Sequence, residues 1–299
     1  MVGQVGLHAI LSPWLAAALT ALLAGAHSAI WGMYKDAPHE GFSARTFVRS
    51  MIFAVGLGLL LYAVTELYPA GPGSLVVFFG VVYVVERAVA ETYKTFFRQQ
   101  DQSKYTIPMQ FAVFGKPVQS RAARALLGVV YLGLMVGMVW LIHLAQRLLG
   151  TPVPLWAIFT IGAAGGWFSA FGGAWKDAPI EGFQILKFFR SPLLAGTYAL
   201  LVSRLTTDLV LITLAAEGFV IMTTETYKTF FFPSKPRGKF ADKPVVFPRW
   251  LRLRQRFVPL YVLIWLIVIG AYTLAVTGGE TARDDQLSAA GGFSPANPL

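Results

Sequence analysis

The sequence has no cysteine. That excludes a disulfide framework, a thiolate nucleophile and any metal or haem site held by sulfur. Charge is scarce too. Only 13% of the 299 residues are Asp, Glu, Lys or Arg, where a soluble domain carries about 25%. No GxGxxG, P-loop, HExxH or GxSxG pattern occurs, so nucleotide cradles, zinc-protease helices and hydrolase elbows have no sequence support. The opening MVGQVGLHAILSPW has no Lys or Arg before its apolar run. It lacks the basic region of a cleavable signal peptide and reads as a retained first span.

What is abundant is apolar side chain, at 56%. Eight apolar segments of about 18 to 25 residues are each long enough to cross a hydrocarbon core as a helix. They fall near 8–32, 48–68, 74–93, 122–149, 153–174, 189–205, 208–225 and 257–277. Helices are expected because an open sheet would leave backbone groups unpaired in lipid. The weakest boundary is SRLTTD at 203–208, a very short turn that also suits one re-entrant hairpin.

The basic residues fall between these spans in a pattern. Four blocks, 33–49, 87–124, 176–190 and 228–256, hold 22 of the 25 Lys and Arg; the rest are Arg147, Arg204 and Arg283. By the positive-inside rule the four blocks face the cytoplasm and both termini lie outside it. The net charge of +10 is therefore an orientation signal, and no nucleic-acid partner is expected. The expected location is the plasma membrane or a bacterial inner membrane. The last 22 residues, 278–299, are small, polar and Pro/Gly-containing, an extended tail outside the cytoplasm.

One polar phrase occurs twice. YKDAPHEGF at 34–42 returns as WKDAPIEGF at 175–183, seven of nine residues matching at an offset of 141. Phe47, Arg49 and Ser50 meet Phe188, Arg190 and Ser191 at the same offset. ETYKTFF repeats at 91–97 and 225–231, offset 134, and KPV at 116–118 and 243–245, offset 127. The order is kept, and length is lost only between spans, as tandem duplication leaves it. The expected fold is thus all-α, with eight transmembrane helices in two tandem four-helix repeats, 1–150 and 151–277. Because four is even, the halves should be related by a pseudo-two-fold axis along the membrane normal.

The repeated residues are the candidate site. Pro38 and Gly41 suggest a bend at the interface rather than a helix interior. Asp36 and Glu40 project from it, as do Asp177 and Glu181 in the second copy. Either they cap the following helix, or they line a ligand-binding corner. Glu91 with Lys94, and Glu225 with Lys228, share a helix face by their spacing. Glu217 lies eight residues before Glu225, about 12 Å along a helix, inside the hydrocarbon span. An intramembrane carboxyl is costly and marks a functional candidate, its structural alternative being a hydrogen bond to Thr213 or Thr224. His27 and His143 are lone histidines that read as helix contacts. The catalytic candidates are therefore Asp36, Glu40, Asp177, Glu181, Glu91, Glu225 and Glu217. The cations for phosphate or lipid are Lys35, Arg49, Lys94, Lys176, Arg190 and Lys228. Oxygen ligands of this kind suit Mg²⁺. The layout is similar in architecture to intramembrane prenyltransferases, without the Asp-rich helical motifs of those enzymes.

Three functions fit these residues. The first is binding or processing of a phosphate-bearing lipid or isoprenoid at the cytoplasmic leaflet. The second is a non-catalytic subunit or scaffold with a membrane-protein partner. The third is an ion- or proton-coupled transporter or channel using Glu217. All of them have the lipid bilayer as a partner, and the first adds an anionic lipid ligand.

Overall fold

The computed structural model describes residues 12–65, 67–100, 110–113, 116–233, 240 and 243–279, without the side chains of 176, 177 and 179–181. Glu66, the tail from 280 onward and the first residues of the expected opening span lie outside this set. The chain is an all-α integral membrane protein, and the described residues hold eight helices long and apolar enough to cross a bilayer. In order these are α1 Pro13–Glu40, α2 Ala44–Val64, α3 Pro72–Thr92, α4 Arg121–Leu149, α5 Leu155–Glu181, α6 Ile185–Val202 and α7 Leu209–Phe230. The eighth begins as a short α8, Arg249–Leu253, passes through a 3₁₀ turn at Arg254–Phe257 and continues as α9, Val258–Gly278. A two-residue hairpin, Ala112–Val113 with Lys116–Pro117, precedes α4.

Side-chain caps set four of the helix starts. Ser12, Ser43 and Ser120 accept from the backbone N–H three residues on, and Asp208 accepts from both Val210 and Leu211. Each such cap stabilises its helix by about 1 kcal/mol. Asp208 also settles the shortest connection. The chain leaves α6 at Val202 and restarts α7 at Leu209, so 203–208 is a turn between two helices.

The expected bend at Pro38 is corrected by the structure. α1 runs through Lys35, Asp36 and Pro38 to Glu40. A helical proline leaves the carbonyl four residues earlier without its donor. That carbonyl belongs to Tyr34, and Arg254 Nη1 donates to it at 2.9 Å. The chain turns instead at Gly41, φ +81, and at Gly182 after α5, φ +79, backbone shapes that favour glycine.

Lipid offers no hydrophobic drive between apolar helices, so close packing depends on small residues. α3 and α7 are the most buried helices, and α2 and α4 the least. α3 meets α7 backbone to backbone. A Cβ on Gly80 would sit 2.9 Å from Ala215 Cα, and one on Gly218 would collide with the Gly80 carbonyl. α1 packs on α2 and α5 on α6 through paired positions. Gly25 lies against Ser50 O and Met51, and Gly166 against Ser191 O and Pro192. Gly58 abuts Ala21, and Gly162 abuts Ala199. The core around this crossing holds Phe78, Phe79, Tyr83, Ile212, Phe219, Met222, Tyr261 and Ile264.

Candidate functional site at the basic end of the bundle

The last turns of α1 carry Lys35 towards α7. Lys35 Nζ donates to Glu225 Oε2 at 2.9 Å, and Lys228 Nζ lies 3.6 Å from the other carboxylate oxygen. All three side chains are largely buried, 15–19% exposed. The Trp31 indole, one turn back on α1, sits under the Lys35 ammonium at 4.6 Å. The i,i+3 spacing read in the sequence does bring Glu225 and Lys228 onto one face. Their third member, Lys35, comes from 190 residues away.

α3 supplies a second layer. Arg87 Nε and Nη2 both donate to the Glu86 carboxylate, to which Ser28 Oγ of α1 also points at 3.5 Å. Tyr83 OH takes a hydrogen bond from Trp31 Nε1 at 2.9 Å and meets His27 Nδ1 at 3.0 Å. The His27 ring stacks on Tyr261 of α9 at 4.1 Å. Tyr261 OH shares a hydrogen bond with Thr226 Oγ1, which Trp265 Nε1 also reaches at 3.2 Å. A continuous polar and aromatic layer therefore joins α1, α3, α7 and α9 beneath the Lys35–Glu225 pair. His27 makes the helix contact expected of it.

The segment before α8 closes over the end of α1. His39 Nδ1 lies 2.9 Å from Pro244 O, and Val246 N and Phe247 N both donate to Pro38 O. Arg254 also donates to Pro233 O at 2.9 Å and stacks on Tyr34 at 4.1 Å. A similar grip holds α5, where Trp175 Nε1 donates to Ala112 O and its ring lies 5.0 Å from Phe111.

The remaining candidates are spread out. Glu91 pairs with Lys94 at 2.9 Å at the end of α3. There ETYKTFF ends in a π-helical turn, Tyr93–Phe97, while its second copy stays α-helical to Phe230. Asp36 and Glu40 are half-buried on the last turns of α1. Arg49 is exposed on α2, and Arg190 is half-buried on α6. Lys176, Asp177 and Glu181 lie on the last turns of α5, and their side chains are outside the described set. Among the described residues no three of His, Asp and Glu converge as a metal ion requires.

Glu217 stands apart from this cluster, on α7 against α5. Its partner is Ser169 Oγ of α5, not the expected threonines. Thr213 and Thr224 donate to backbone carbonyls of their own helix. Sequence reasoning also missed Trp31, Tyr83, Ser169, Arg254 and Tyr261. For Ser28 and Ser169 a signal was present, since the two serines stand at the repeat offset of 141. Comparison of the chain with protein-family models, with curated proteins and with solved structures finds no match.

Proposed function

We propose that the chain is two four-span halves, and that its basic end holds a phosphate-bearing lipid in the leaflet read as cytoplasmic. The two-half reading is supported by equivalent packing. Gly25 with Ser50 and Gly166 with Ser191 make the same contact at the sequence offset of 141, as do Gly58 with Ala21 and Ala199 with Gly162. The two loop grips, on Tyr34 and on Trp175, are also at matching positions, and each is made by a segment of the other half. A pseudo-two-fold axis along the membrane normal is the relation proposed between the halves.

The observation that carries the lipid reading is the Lys35–Glu225–Lys228 triad. Two ammonium groups share one carboxylate, with an indole wall, at the edge of the spans. Such a cluster sets two cations about one carboxylate at the end of the spans that the positive-inside rule reads as cytoplasmic. Basic side chains at that depth attract anionic headgroups by about 1 kcal/mol each. Two of the catalytic candidates, Glu225 and Glu91, are each held by a cation rather than presented as a free base, which favours binding over catalysis.

Native mass spectrometry of the gently solubilised protein tests this, with and without a chelator. The expected spectrum retains a phosphate-bearing lipid in wild type and loses it in Lys228→Gln, while that variant still melts cooperatively as a folded protein. Loss on chelation would identify a metal bridging carboxylate and phosphate. Co-purification of a polypeptide with no lipid, or equal retention by Lys228→Gln, would overturn the proposal in favour of a scaffold.

A further inference from the structure

Among the described residues Glu217 lacks a cation such as those that hold Glu86 and Glu225. Its helix packs against α5 where α5 is richest in glycine. A Cβ on Gly165 would stand 3.2 Å from Glu217 Cβ and 3.4 Å from Oε2. The missing side chain is the space the carboxyl occupies. Oε1 takes the Ser169 hydrogen bond, and Oε2 is buried without a partner.

No cation reaches it among the described residues. α5 has no charged residue from Leu155 to Trp175. On α1, His27 is committed to Tyr83 and Tyr261; on α3, Arg87 is committed to Glu86. On α6, Tyr198 shares its hydroxyl with Thr223, and Lys187 and Arg190 lie at the basic end. On α4, Arg124 donates to Val118 O and Gln119 O, while Arg121, His143 and Arg147 lie towards the helix ends. An ionised carboxylate held by one hydroxyl in such a place costs several kcal/mol or more.

The first half shows what charge compensation looks like at the matching serine. Ser28, at the offset of Ser169, also faces a glutamate, Glu86, and there Arg87 carries the balancing charge. In the second half the position matching Arg87 is Ile221. We propose that Glu217, seated in the Gly165 cradle and bonded to Ser169, is a proton-binding site in the membrane-spanning core, its proton replacing the arginine of the other half. Release of the proton requires α5 to draw away from α7 and admit water, so proton release is tied to that helix contact.

Two measurements on the whole protein in lipid vesicles test this. Infrared spectra at neutral pH are expected to show the carbonyl band of a protonated carboxylic acid, lost in Glu217→Gln. In Ser169→Ala the band persists but shifts, because its hydrogen bond is gone. Treatment with an apolar carbodiimide is expected to give one adduct, on the peptide containing Glu217. The acid proton goes to a reagent nitrogen, the carboxyl oxygen bonds the central carbon, and the acyl group then migrates to nitrogen with nothing leaving. The adduct should be lost in Glu217→Gln and in wild type at high pH. A band unchanged by Glu217→Gln, labelling indifferent to that variant, or protection by sodium ions at constant pH would each overturn the proposal.

Discussion

Breaking the Lys35–Glu225 pair should loosen α1 from α7, and a double-mutant cycle with Lys35→Met and Glu225→Gln isolates that effect. Two unit charges 4 Å apart attract by about 4 kcal/mol in the effective dielectric near a protein surface. Here the separation is 2.9 Å, with the side chains only 19% and 15% exposed. Desolvation opposes the attraction, and Lys228 at 3.6 Å already satisfies part of the carboxylate. The coupling that survives is expected at about 1–3 kcal/mol. Lys35→Met alone leaves Glu225 with Lys228 and should cost about 2 kcal/mol. Glu225→Gln leaves two ammonium groups facing each other and should cost somewhat more.

The assay is reversible unfolding in mixed micelles followed by tryptophan fluorescence, for which Trp31, 4.6 Å from the Lys35 ammonium, is a local reporter. The four proteins are compared at low salt and near 1 M salt. A buried pair is screened little, so the coupling should hold across that range. A coupling below about 0.5 kcal/mol, or one abolished by salt, refutes the argument. It would mean that the two helices are held by apolar packing and that the charges are an incidental surface pair.

Gly218→Ala drives a methyl group into the Gly80 carbonyl and should destabilise the protein by about 2–3 kcal/mol. Gly133→Ala, which faces open space, should stay within about 0.5 kcal/mol of wild type, and equal melts for the two would refute the α3–α7 contact. Orientation is directly measurable because no native cysteine interferes. Cysteine placed at Ser43 or Ser120 should resist an impermeant maleimide added outside intact cells, and cysteine at Thr65 or Thr151 should react. The reverse pattern would overturn the positive-inside assignment.

The eight spans were readable because lipid imposes a long apolar run on every crossing, and such a run survives any detail of packing. Helix ends were less readable, because apolarity stops where lipid stops and hydrogen bonding does not. α1 continues eight residues beyond the apolar limit at 32, through three charged residues and a proline. The group that permits Pro38 there is Arg254, 220 residues from the carbonyl it serves, and no local pattern announces it. The site divides in the same way. Glu225–Lys228 and Glu91–Lys94 follow from helical spacing within one segment. Lys35–Glu225, Ser169–Glu217 and Trp31–Tyr83 depend on which helices become neighbours. The two copies of ETYKTFF show that even identical residues do not fix the backbone, since one ends in a π-helical turn and the other does not.

This contrast bears on why the polar phrase recurs while most of the span sequence between its copies has drifted. Inside a bilayer one leucine face serves about as well as another, because the surrounding lipid is equally apolar. Neighbour choice then falls to a few residues: glycines that admit a backbone, and polar groups that must find partners. Gly25 and Gly166, Ser28 and Ser169, and Tyr34 and Trp175 are such residues, and each remains at its offset. Lys35 extends the logic across the halves, since its partner Glu225 lies in the second one. On the proposed two-half reading, one copy is free to solve the same electrostatic problem differently. Glu86 is bound by Arg87, so the two opposite charges balance each other. Glu217 has isoleucine where the two-half reading would put that arginine, and on the proposal above a proton takes the place of the missing cation.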